Sequence, residues 1–136
     1  MAISEDLPGV EVAVTVGGND LQEYRDDTIE EEDRTTTRYV EAKSGQEFAI
    51  RMKVKKRFGY AAGADTLSFR ITVDGDFIAH PLIDRATTRM QDASRKAEGF
   101  QTPEGRLRKC KFTSLETGQC SQWYLFESVK LRLSLQ

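Results

Sequence analysis

The feature that most constrains this chain is a repeated period-two alternation of apolar residues. Val10, Val12, Val14 and Val16 alternate with Glu11, Ala13 and Thr15, and Phe48, Ile50, Met52 and Val54 alternate with Ala49, Arg51 and Lys53. Leu67, Phe69, Ile71 and Val73 form a third run, and Val129, Leu131, Leu133 and Leu135 close the chain as a fourth. In an extended chain successive side chains point to opposite faces, so each run lines one face with apolar groups and leaves the other to water. A helix would scatter the same residues around its axis. Strands that are greasy on one face need a second layer to cover that face. The expected fold is therefore all-β, an antiparallel β-sandwich of about seven or eight strands.

The segments between the runs carry turn chemistry. Gly17-Gly18-Asn19-Asp20 is expected to turn the first strand back into residues 21–24, making a hairpin. Residues 35–42 are strand-like in composition, and Lys43-Ser44-Gly45-Gln46 makes a turn before the second run. Asp74-Gly75 is the strongest hairpin signal, with residues 77–79 returning and Pro81 ending the ladder. Between Asp84 and Gly99 the period changes: Ala86, Met90, Ala93 and Ala97 fall at steps of 4, 3 and 4, which reads as one short helix near 85–98, with a mobile polar loop as the alternative because the apolar face is mostly alanine. Residues 107–112 read as a basic strand.

At 136 residues the chain holds one domain with a real core. No apolar run approaches the ~18–20 residues of a membrane span, and the opening MAISEDLPGVEV lacks the basic and apolar regions of a signal peptide. A soluble intracellular protein, cytoplasmic or nuclear, is expected, with no membrane partner. Its cysteines, Cys110 and Cys120, are expected to be free thiols.

Charge is unevenly distributed. Residues 1–33 hold 11 acidic side chains and one basic, whereas residues 34–136 hold 11 acidic and 19 basic. Six of the eight residues in 26–33 are acidic, and a run that repels itself reads as a solvated loop.

The motifs of common chemistries are missing. The sequence has no phosphate-binding GxxxxGK[ST] or GxGxxG, no HExxH and no GxSxG. Its one histidine, His80, precedes Pro81 and reads as a surface residue, and Cys110, although flanked by Arg108, Lys109 and Lys111, reads as structural. The carboxylates of 26–33 with Asp74 and Asp76 lack the spacing of a calcium loop. No catalytic residue, cofactor or metal is therefore assigned.

One constellation has a specific alternative reading. Arg51, Lys53, Lys55, Lys56 and Arg57, near Phe58 and Tyr60, could join Arg106, Arg108 and Lys111 in a basic patch that neutralises phosphates while aromatics stack on bases. Solvated strand faces explain the same pattern, and the chain as a whole is slightly acidic. A non-enzymatic protein-interaction or scaffold domain is the first reading, and a nucleic-acid-binding module using that patch is the alternative.

Three stretches also carry a resemblance. They are GVEVAVTVGGNDLQEY from Gly9, TRYVEAKSGQEFAIRMKV from Thr37 and LSFRITVDGDFIAHPLI from Leu67. In them Glu23, Tyr24, Arg38, Tyr39, Val40, Glu41, Ser44, Gly45, Val73, Asp74, Gly75, Pro81, Leu82 and Ile83 match the hallmarks of a fungal group of domains of unknown function. The resemblance is clearest over residues 9–83 and continues at Gly99, Phe112 and Thr117, leaving a divergent C-terminal segment. It implies a fold and a lineage, and no activity.

Overall fold

The computed structural model describes residues 2–3, 8–28, 30, 36–60, 62–113 and 134–135. In chain order its strands are β1 (Ala2–Ile3), β2 (Val10–Val16), β3 (Asn19–Asp20), β4 (Glu23–Tyr24), β5 (Tyr39–Val40), β6 (Glu47–Val54) and β7 (Thr66–Ser68). They continue as β8 (Ile71–Val73), β9 (Asp76–Ala79), β10 (Leu82–Asp84), β11 (Ala93–Ala97), β12 (Gly99–Gln101), β13 (Leu107–Lys111) and β14 (Ser134–Leu135). One helix, α1 (Arg85–Met90), precedes β11. The fold is all-β, and every pairing among the described residues is antiparallel.

β6 is the axis of the main sheet. It pairs with β2 from Val10 opposite Val54 to Thr15 opposite Ala49. Its other side is shared end to end: β11 lies opposite residues 50–54, and β13 opposite Glu47 and Phe48. β12 then pairs with β13, so 93–101 is one extended stretch that leaves β6 and passes to β13. A second layer consists of the sheet β10-β7-β14 and the hairpin β8-β9. The two layers share one core. Ile50, Met52 and Val54 from the first, and Leu67, Phe69, Ile71 and Ile83 from the second, have no exposed surface. Each such side chain contributes about 1.5–3 kcal/mol by leaving water, before the entropy of ordering it is counted.

The apolar sides of the alternating runs face the core as the sequence requires, but β2 does not leave its other face to water: Glu11, Ala13 and Thr15 are buried as well. Val12, Val14, Phe48, Ile50, Met52, Leu67, Phe69 and Ile71 are buried, while Arg51 and Lys53 point to the outer face. Leu133 lies outside the described residues, but the terminal run reaches the second layer through Leu135, opposite Leu67.

Three further expectations are corrected. The first hairpin is tighter: the turn is Gly17-Gly18 alone, Asn19 and Asp20 already pair with β2, and Glu23-Tyr24 turns away to pair with Tyr39-Val40. The third run is two strands, because the Phe69 amide donates to the Pro81 carbonyl (2.9 Å) and the chain changes partners there, β7 pairing with β10 and β8 with β9. The helix expected near 85–98 ends at Met90, and the remainder is β11. Ala93 and Ala97 are four apart, a spacing that serves a strand face as well as a helix face, and both are buried against β6. The Asp74-Gly75 turn forms as expected, with positive φ at both residues (51° and 83°), as a type I′ hairpin demands.

Candidate interaction surface

The residues of the expected basic patch do not converge. Arg51 and Lys53 stand on the outer face of β6, and Lys55, Lys56 and Arg57 follow it in the turn. Lys111 lies opposite Glu47, at the other end of β6, so it is separated from Lys55 by eight strand residues, about 26 Å at ~3.3 Å each. Arg108 and Lys111 leave opposite faces of β13, because Cys110 between them faces the core opposite Phe48. Arg106 sits in the β12–β13 turn, where the Thr102 amide donates to its carbonyl (2.8 Å).

Three of the five cations clustered along Arg51–Arg57 are already engaged. Arg51 Nη2 is 2.8 Å from Asp20 Oδ2, Lys53 Nζ is 3.7 Å from Asp92 Oδ2, and Lys55 Nζ is 3.4 Å from the buried carboxylate of Glu11. Lys96 meets Glu98 at 2.6 Å and Lys109 meets Glu47 at 3.3 Å. The outer face of the main sheet is thus a grid of paired charges. Phe58 and Tyr60 are half-buried, stacked edge to face at 5.1 Å and packed on the core, so they offer no open ring to a base. Tyr60 Oη also joins Ile83 O (3.3 Å) and Thr88 Oγ1 (3.2 Å), tying the turn to α1.

Asp92 fastens the same corner. Its Oδ1 accepts the Lys56 amide at 2.7 Å, and that hydrogen bond holds its carboxyl below the usual carboxylate range, with Lys53 assisting. The neighbouring Arg57, at φ 62°, donates its amide to Thr88 O at 2.7 Å.

Of the residues weighed for catalysis, Cys110 is set in the core and His80 on the surface. Cys110 is a free, buried thiol whose pKa is pushed up by burial and then by the Asp74 carboxylate, the opposite of what a nucleophile needs. Cys120 lies outside the described residues. His80 is exposed. Among the described residues no three His, Cys, Asp or Glu side chains gather to hold a metal. Of the acidic run, Asp26, Asp27 and Glu30 are exposed, and Asp26 folds back locally to accept the Thr28 amide and hydroxyl (2.9 and 2.6 Å). Glu31, Glu32 and Asp33 lie outside the described residues.

A different surface stands out, which the sequence reading missed. Phe77 on β9, Phe100 on β12 and Leu107 on β13 are 51%, 38% and 48% exposed. A guanidinium lies over each ring: Arg70 is 5.2 Å from the Phe77 centroid and Arg108 is 5.8 Å from the Phe100 centroid. β9 lies against β12, which brings the two pairs onto neighbouring strands. The Asp74-Gly75 turn aims Phe77 outward by sending Ile78 into the core, so this half was readable from the hairpin register. Phe100 was hidden because its segment carries no alternation. β12 is held tightly to β13: a Cβ built on Gly99 would overlap the Arg108 carbonyl.

The residues that carry the family resemblance make the frame of this molecule. Glu23-Tyr24 pairs with Tyr39-Val40, the Gly45 amide donates to Phe112 O (2.7 Å), and Leu82-Ile83 pairs with Ser68-Leu67. Among the described residues no helix is long and apolar enough to cross a membrane. No curated protein and no solved structure matches the chain. Residues 9–123, most of its length, match the family described as Domain of unknown function (DUF7918), and the chain belongs to that family.

Proposed function

We propose that this is a non-enzymatic interaction or scaffold domain, intracellular and of fungal lineage, that binds a protein partner through the surface formed by β9, β12 and β13. The observation that supports this reading is the pair of exposed phenylalanines, each beneath an arginine, on adjacent strands. Aromatic and arginine side chains dominate the energetics of protein interfaces because they bring large area and fixed donors at low entropic cost. A Phe left in water gains nothing from its exposure, whereas one buried by a partner contributes on the order of 2 kcal/mol.

The test is affinity purification of the full chain beside a Phe77→Ser/Phe100→Ser double variant, each with and without nuclease. Proteins retained by the parent, resistant to nuclease and lost from the variant support the reading; identical sets from both chains refute it. The nucleic-acid alternative makes a different demand. It requires micromolar binding at about 150 mM salt, falling with a logarithmic slope of about −0.7 to −0.9 per phosphate contacted, and lost when Lys55 and Arg57 are reversed in charge. The engagement of Arg51, Lys53 and Lys55 by carboxylates speaks for the protein partner.

A further inference from the structure

Phe100 and Arg108 stand directly opposite each other on β12 and β13, so they leave the ladder on one face. Two residues along β13, on that same face, Cys110 is buried in the core. The pair is therefore the core-side face of the sheet carried past the end of the core, with its aromatic ring still exposed. β9, which bears Phe77 beneath Arg70, lies against β12 at this end. The two guanidiniums differ from the cations of the outer face. Arg51, Lys53, Lys55, Lys96 and Lys109 each meet a carboxylate, whereas among the described residues no carboxylate or carbonyl accepts from Arg70 or Arg108. A guanidinium lying over a ring uses its flat face there and keeps its N–H donors, which lie in its plane, for an acceptor; two such donors side by side match a carboxylate. The exposed acids nearby are Asp74 and Asp76 at the tip of the β8–β9 hairpin and Glu104 in the β12–β13 turn.

We propose that this surface binds a protein segment in which an apolar side chain is flanked by carboxylates, the apolar group lodging against Phe77 and Phe100 and the carboxylates taking the open donors of Arg70 and Arg108. The proposal rests on the interaction reading and names the chemistry of its partner. Covering the rings excludes water from the guanidinium–carboxylate contacts beside them, which strengthens those contacts in turn. A protein segment can set its charges at the two arginines and remain neutral beside Asp74, Asp76 and Glu104. A nucleic-acid strand cannot: it carries a charge at every phosphate, and its bases need ring faces that the guanidiniums already cover.

The experiment is fluorescence anisotropy on the full chain with three labelled peptides. They share a central leucine in a serine–glycine background and carry glutamate, glutamine or lysine on either side of it. The glutamate peptide is expected to bind most tightly and the lysine peptide at least about tenfold more weakly, with glutamine between them. An Arg70→Gln/Arg108→Gln variant should bind the glutamate and glutamine peptides alike, and Arg70→Glu/Arg108→Glu should prefer lysine. Both positions are exposed, and an unchanged melting temperature reports an intact fold. No binding by any peptide, no preference for glutamate on the parent chain, or a preference that survives in the glutamine variant overturns the proposal. A deoxythymidine oligomer that binds the parent more tightly than the glutamate peptide at about 150 mM salt, and is lost from Phe77→Ser/Phe100→Ser, overturns it in favour of nucleic acid. Native partners lost from the phenylalanine variant but retained by Arg70→Gln/Arg108→Gln overturn the carboxylate preference and leave the interaction reading in place.

Discussion

The two sides of β6 are built on different principles. Toward β2 it meets a seven-residue strand that is buried on both faces from Val10 to Thr15, and the contact is a wall of valine, isoleucine and methionine. Toward β11 and β13 it meets two short strands placed end to end, whose buried members are Ala93, Ala97 and Cys110 and whose remaining side chains face water. The first side derives its strength from apolar area. The second derives its order from backbone fit and from single polar fasteners. The stable part of the molecule and the part that carries exposed aromatic and cationic groups are therefore separated by one strand.

The sharpest way to break that contrast is to remove area from the core shared by the two layers. Phe69→Ala, at a position with no exposed surface, is expected to cost about 3–5 kcal/mol, the transfer term plus the cavity, read as a large fall in melting temperature. A loss as small as those expected on the β11 side would mean that the core is not where the stability lies.

This core was legible in the sequence because alternation survives even where the ladder changes. Leu67, Phe69 and Ile71 all point inward although the strand is interrupted at Phe69, so the facing was readable while the pairing was not. What the sequence could not carry was the competition for Phe69's amide, which depends on where Pro81 returns in space. The same limit applied to Ala93 and Ala97, whose spacing fits two periods and is resolved only by the presence of β6 alongside. The candidate surface was less legible still. Charge clusters in the sequence drew attention to Arg51–Arg57, but register, not composition, decides that Arg51, Lys53 and Lys55 are paired and that Arg70 and Arg108 cover phenylalanines.

On the β11 side the largest effect should come from the backbone. Gly99→Ala would drive a methyl into the Arg108 carbonyl, and forcing β12 away from β13 should cost about 1–3 kcal/mol. If the variant melts with the parent protein, β12 is not held as closely as the geometry requires.

A smaller effect, and one with a pH signature, is expected at Asp92. Its folded pKa lies below the ordinary 3.8, so the folded state binds this proton less readily than the unfolded one. The stability it contributes is therefore present above that ordinary value and is lost as the pH falls through the lowered one. Asp92→Asn should flatten the acid limb of the stability profile below pH 3.8 and lower the melting temperature modestly at neutral pH. An acid limb unchanged in the variant would show that the Asp92 pKa is not lowered on folding.

The smallest change is expected where exposure is greatest. Phe77→Ser should leave stability within about 0.5–1 kcal/mol of the parent, since only a cation–π contact and a half-exposed ring are given up. A loss comparable to Phe69→Ala would place Phe77 with the core and withdraw it from the surface proposed for binding.

The end-to-end sharing of β6 also bears on how the chain is made. Synthesis delivers β2 and β6 together, and the hairpin-like wall between them can close once residue 54 is free. The partner for Phe48 on the other side is Cys110, which is made 62 residues later. Until β11 is made one whole edge of the central strand is without its ladder, and until Cys110 is made its Phe48 end still is; sequence-distant closures of this kind are slow. The nascent protein thus has an interval in which Glu47, Arg51 and Lys53, the charged outer face of β6, are its guard against pairing with a neighbouring chain on the same messenger.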